Sequence, residues 1–269
     1  MDPLYFDPRW LIVIASASLS FAVLSPMVAA RKLYYFASSL PHAALFAVVL
    51  GYPLSVAFGG DPSIWALVVG VPLSYLVMYL VQRGIEEDIA TAVFVSFTVS
   101  ASVAAIYFVL THYTVQTSLW SYILGDPLLV SWGDTVYSVV VMVVSLAITL
   151  PFYREQVLIG FDRDFVESSG IKTKLYDYLI ITALTFASIG FLKIVGFVIE
   201  HVMLLLPASI ALNMSRSSLQ ALGVAIAASV VASIAGLFLA IILDFAPSSA
   251  IGFILLAGYI ISLTYGVKK

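Results

Sequence analysis

Nine stretches of this chain stay apolar for long enough to cross a lipid bilayer. They lie at approximately 10–30, 38–57, 62–82, 88–110, 134–152, 175–192, 194–212, 219–243 and 249–266. About 20 residues rising 1.5 Å each span a hydrocarbon core of about 30 Å, and the shorter stretches reach across by tilting or local thinning. Turn-forming residues are expected to separate the spans: Gly51, Tyr52 and Pro53, then Gly59 to Pro62, and later Phe245 to Ser249. A tenth apolar piece, 118–130, is too short to span and is interrupted by Gly125, Asp126 and Pro127, so it reads as re-entrant or interfacial. The pattern predicts a single all-α membrane domain over 1–269: about nine transmembrane helices, that re-entrant piece, and one charged loop at 153–174.

Composition supports the same class. The chain has 269 residues, 62% of them hydrophobic and only 10% charged, against about 25% charged in a soluble domain. A net charge of −3 offers no basic stripe for nucleic acid. The absence of cysteine excludes disulfides, thiolate metal sites and cysteine nucleophiles. The opening MDPLYFDPRW lacks the basic start and small-residue exit of a cleaved signal, so the first apolar run is expected to be retained.

Lysine and arginine set the orientation, because cytoplasmic loops collect them. With the N-terminus outside, Arg31, Lys32, Arg83, Arg154, Arg163, Lys172, Lys174, Arg216, Lys268 and Lys269 fall inside, and only Arg9 and Lys193 fall outside. The C-terminus is then cytoplasmic. Trp10, Trp65, Trp120 and Trp132 lie near the outer interface, which suits indole rings. Small residues recur every four positions at Ala228, Ala232 and Gly236 and at Ala225, Ser229 and Ser233, a spacing that lets membrane helices approach closely.

The stretch 153–174 holds eight charged side chains. Asp162 to Ser169 reads as a short amphipathic helix with Phe161, Phe165 and Val166 on one side, Asp164 and Glu167 elsewhere, and Gly170 as the stop. Such a helix suits docking into a partner's groove as well as it suits a solvated loop.

Ionisable residues at membrane depth are costly and commonly mark a pathway. His42 follows Pro41 near the start of the second span, and Glu200 and His201 open the seventh. Lys193, at the turn before it, is expected to reach the headgroups, and His112 to be a surface residue. Imidazole and carboxylate suit a divalent transition metal, while a hydrogen bond between helices is the alternative use of the same groups. Adjacent residues point about 100° apart on a helix, so Glu200 and His201 need a local break to face one point. Pro207, which removes a backbone donor, is placed to supply it. On this topology His42 sits towards the inside and His201 towards the outside, as successive stations unless the second helix starts deeper than hydropathy suggests.

Four segments carry a family resemblance over nearly the full length: RKLYYFASSLPHAALFAVVLG at 31–51, EEDIATAVFVSF at 86–97, SYILGDPLLVS at 121–131, and FDRDFVESSGI at 161–171 with VGFVIEHVMLLLPASIA following at 195–211. Together, in order and at matching spacing, they resemble the membrane permease subunit of the ABC importers for zinc and manganese. The resemblance implies a homodimer in the lipid of the cell membrane, a separate cytoplasmic ATP-binding subunit and an external metal-binding protein. It also implies that Phe161, Asp162, Asp164, Phe165, Glu167 and Gly170 form the coupling helix on which the ATPase docks. The transported divalent metal is cargo; no permanently bound cofactor is expected, and ATP is used only by the partner, since no G-x-x-x-x-G-K-[ST] loop is present.

The sequence departs from the family pattern at two places. Ser38 stands where the family has an aspartate four residues before the histidine, and a hydroxyl is a far weaker ligand. Glu200–His201 replaces an apolar residue followed by a small polar one. The metal candidates are therefore Glu200, His201 and His42, followed by Ser38 and Asp126. The rival readings are an ion-coupled secondary carrier, an intramembrane metalloprotease and a purely structural membrane subunit. The protease would require H-E-x-x-H, and the one Glu–His adjacency is reversed.

Overall fold

The computed structural model describes residues 7–114, 122, 125 and 127–265, and the regular structure among them is helical throughout. The helices are α1 (Pro8–Ala30), α2 (Tyr34–Phe58), α3 (Pro62–Gln82), α4 (Glu87–His112), α5 (Trp132–Thr149), α6 (Tyr153–Phe161), α7 (Arg163–Ser168), α8 (Thr173–Val195), α9 (Phe197–Met214), α10 (Ser218–Leu243) and α11 (Pro247–Tyr265). Among the described residues, nine units are long and apolar enough to cross a membrane, α5 and α6 counting together as one through a short 3-10 turn at Leu150–Phe152. The expected spans are all present. Asp126, Trp120, Lys268, Lys269 and most of the piece at 118–130 lie outside the described residues; within that piece Pro127–Leu129 forms a single 3-10 turn.

Helix starts follow the capping chemistry of the sequence. Asp7, Asp61, Ser131, Asp162 and Ser217 each accept a backbone N–H of the first turn they precede. The expected break at Gly51–Pro53 does not occur: α2 runs through it to Phe58. A proline costs a membrane helix little when neighbouring elements take up the freed groups. Gly51 serves packing instead, since a Cβ there would lie 2.4 Å from the Pro62 carbonyl oxygen of α3.

The two most buried spans, α1 and α8, form the centre. α2, α3 and α4 pack as one wing, and α10 and α11 lie on the other side against α1 and α9. The small residues of α10 fill that second contact. Ala225, Ser229, Ala232, Ser233 and Gly236 are buried, Ser229 donates to the Ser18 carbonyl of α1 at 3.1 Å, and Gly236 lies against the Ile251 backbone.

Backbone meets backbone again where α6 crosses the end of α1. A Cβ on Gly160 would lie 2.2 Å from the Ala30 carbonyl oxygen. Gly160→Ala should therefore destabilise the fold by about 1–3 kcal/mol, the usual cost of overpacking. A lower thermal unfolding midpoint of the detergent-purified chain would register it, and an unchanged midpoint would mean that the two segments sit further apart.

Candidate metal-handling site

The structure brings His42 and His201 together. Their rings lie 5.9 Å apart between centroids and nearly perpendicular, and the Phe197 ring stands edge-on to both, at 4.7 and 5.3 Å. The expectation of successive stations is thus corrected, for two physical reasons. α2 begins at Tyr34, so His42 is already eight residues, about 12 Å, inside its helix. The turn at Val195–Gly196 that starts α9 is itself buried, and Gly125 packs so closely on it that a Cβ would lie 2.2 Å from the Val195 carbonyl oxygen. α9 therefore starts below the end of the bundle, and His201 descends to the level of His42.

The spacing suits a shared ion. A metal about 2.0–2.1 Å from an imidazole nitrogen lies about 3.2 Å from the ring centre, so two rings on one four-coordinate ion stand about 5–6 Å apart. Nδ1 of His201 lies 3.0 Å from the Phe197 carbonyl oxygen. A carbonyl only accepts, so Nδ1 carries the proton and Nε2 keeps the lone pair a metal needs. Both histidines are half-buried.

Glu200 does not join them. α9 remains helical from Phe197 to Met214, and the expected break at Pro207 is absent because the Ser25 hydroxyl of α1 accepts the Ala208 N–H at 3.0 Å. Glu200 turns into the core, fully buried, with the Ser188 hydroxyl of α8 beside it and, among the described residues, no hydrogen bond closed to either carboxyl oxygen. Ser38 lies one turn from His42, its hydroxyl donated back to the Tyr35 carbonyl at 2.7 Å. Among the described residues, no three His, Cys, Asp or Glu side chains gather closely enough to hold an ion.

Lys193 does not simply reach outward either. It pairs with Asp134 of α5 at 2.7 Å, on the wall of a polar cavity of about 430 Å³ that Asp61, Tyr122 and Tyr137 also line. His112 is exposed, as expected, and stacks on Phe108.

In the charged loop, Asp162 caps α7 by accepting the Phe165 N–H at 2.9 Å, and Gly170 closes it with φ +84°. Phe161 and Phe165 are 82% and 65% exposed, whereas Val166 is buried at 3%. Val166 therefore belongs to the opposite side from the two phenylalanines; it anchors the helix and leaves the aromatic pair free. Asp164 is exposed, and Glu167 accepts from the Thr173 hydroxyl and from Arg163. Those two donors, Thr173 first, hold the Glu167 carboxyl below the usual range.

Pattern reading of the sequence missed the ionic cluster beneath α7. Asp177, 2% exposed, accepts from Arg31 at the end of α1 and from Arg163 of α7 at 2.7 Å. Arg31 also donates to Gln156 of α6 at 2.7 Å. The available signal was an acid at the start of an apolar span.

Nine spans enclosing an imidazole pair, with a capped charged loop at one end, define a multi-pass membrane permease. The description "ABC 3 transport family" fits residues 7–266, and the chain belongs to that family. It is 26% identical over 244 residues to the manganese transport system membrane protein MntC of Halalkalibacterium halodurans, covering 90% of this chain and 80% of that one. It is 28% identical over 236 residues to the high-affinity zinc uptake system membrane protein ZnuB of Haemophilus influenzae, covering 87% of each. Its fold matches a chain of PsaBC from Streptococcus pneumoniae, solved in complex with Fab, with a TM-score of 0.82 at 22% identity over 95% of this chain and 90% of that one.

Proposed function

We propose that this chain is the membrane permease of an ATP-driven importer of a divalent transition metal, zinc or manganese, and that the ion passes between His42 and His201. The observation that carries the reading is the imidazole pair, 5.9 Å apart on a half-buried face inside the bundle. Relatives named for manganese and for zinc support that cargo. Two imidazoles without a third strong ligand suit transit, because a closed four-ligand site would trap the ion.

On this reading the protein lies in the cell membrane with its N-terminus outside and the basic loops in the cytoplasm. A second copy faces the His42–His201 side to complete the path, and an external metal-binding protein delivers the ion. A separate ATPase hydrolyses ATP and docks at the corner of α6 and α7 through Phe161 and Phe165, two large apolar side chains otherwise left in solvent. Phe161→Ala with Phe165→Ala should weaken capture of the ATPase by the purified permease about tenfold or more, in the range of interface aromatic anchors. Wild-type capture would remove α7 from the interface.

Proteoliposomes holding permease, ATPase and binding protein test the whole reading. Zinc or manganese should accumulate only when ATP is supplied. Uptake driven by an ion gradient in vesicles without the ATPase would establish the secondary carrier instead.

A further inference from the structure

We infer that Asp177 is a positioning residue for transport, the joint through which a displacement of α7 reaches the two central helices and then α9. The inference rests on the proposed docking of an ATPase at α7. A helix of six residues holds no orientation by itself, so its direction is set by what it is fastened to.

Asp177 supplies the fastening. Its carboxylate, inside the protein at the first turns of α8, accepts from Arg163 of α7 on one side and from Arg31 of α1 on the other. Two further links make the joint stiff. Gln156 holds Arg31 and also donates to the Tyr176 carbonyl at 2.7 Å. Arg163 reaches the Thr173 hydroxyl at 3.1 Å and Glu167 at 3.1 Å. Planar guanidinium groups gripping one carboxylate fix distance and angle together. Arg31 is itself only 7% exposed, so the grip cannot be exchanged for water.

Both helices gripped in this way end their influence on α9, the helix that carries His201. From α1, Ser25 accepts the Ala208 N–H just after Pro207. From α8, the chain passes directly into α9 through the buried turn at Val195–Gly196. A continuous chain of ionic contacts, rigid helix and hydrogen bond therefore runs from the exposed aromatic pair to the imidazole pair. Coupling between distant sites can travel through such a chain of packed, ionic and hydrogen-bonded contacts.

A purely structural role for Asp177, neutralising Arg31, predicts loss of folded protein and nothing specific to transport. The readout that separates the two is metal carried per ATP hydrolysed, measured in proteoliposomes of the whole complex with radioactive zinc and manganese. Arg163→Gln leaves the buried Arg31–Asp177 pair and the Thr173–Glu167 hydrogen bond in place and removes the ionic arm from α7 to Asp177, together with the Arg163 contacts to Thr173 and Glu167. It should retain ATPase capture and hydrolysis while the ratio falls about tenfold, the scale of mutations along coupling networks. Asp177→Asn should do the same, and Asp177→Glu should recover much of the loss.

An unchanged ratio in Arg163→Gln overturns the inference, whatever happens to the stability of Asp177→Asn. Loss of ATPase capture with an unchanged ratio also overturns it, leaving the cluster a docking support. If the wild-type complex shows no ATP-dependent uptake, the underlying reading of α7 fails first, and that failure is visible without any variant.

Discussion

Replacing His42 or His201 by alanine should lower ATP-driven accumulation of zinc or manganese in proteoliposomes by about tenfold or more, since loss of even an outer partner of a metal costs 10–100-fold. The two changes should not add. If one ion sits between the rings, 5.9 Å apart, removing the second imidazole takes away little once the first is gone. Phe197→Leu should act more gently, because it leaves both nitrogens and the carbonyl that fixes the His201 tautomer. Wild-type uptake by both single variants would reduce the pair to helix packing. A double variant whose loss equals the product of the singles would separate them into independent stations.

The second large effect concerns Glu200 and runs in two directions at once. Its carboxyl is fully buried, with the Ser188 hydroxyl beside it and no hydrogen bond closed to either oxygen among the described residues. An unsatisfied buried polar group costs about 1–3 kcal/mol. Glu200→Met, apolar and of similar length, should therefore raise the thermal unfolding midpoint of the purified chain. The same variant should lower transport, because a costly group deep in a membrane protein is retained for what it does. A variant that is more stable and transports normally would show that Glu200 has no part in transport. A less stable variant would show that Ser188 or water satisfies the carboxyl.

Much of this architecture was legible in the sequence because membrane helices follow simple rules. Length, apolarity and prolines marked the nine spans, and Asp162 and Gly170 marked the start and stop of α7. The site was legible as residue types but not as geometry. The depth of His42 depended on α2 starting at Tyr34, among aromatic residues that hydropathy scores weakly. The depth of His201 depended on a buried turn under Gly125, a contact between distant segments that no local pattern encodes. Pro207 was expected to break α9, and what holds the helix together is Ser25, some 180 residues away in the chain. Asp177 was hidden for the same reason: its partners Arg31 and Arg163 come from two other helices. Each had already been counted as a cytoplasmic charge.

X-ray absorption of the zinc-loaded complex, with ATP hydrolysis blocked to hold the ion in transit, would test most directly whether the two histidines grip the ion together. Two imidazole nitrogens are expected at about 2.0–2.1 Å, with one ring signature missing in His42→Ala or His201→Ala and both missing in the double variant. Bound zinc with no imidazole signature, or a spectrum unchanged in the double variant, would contradict that expectation.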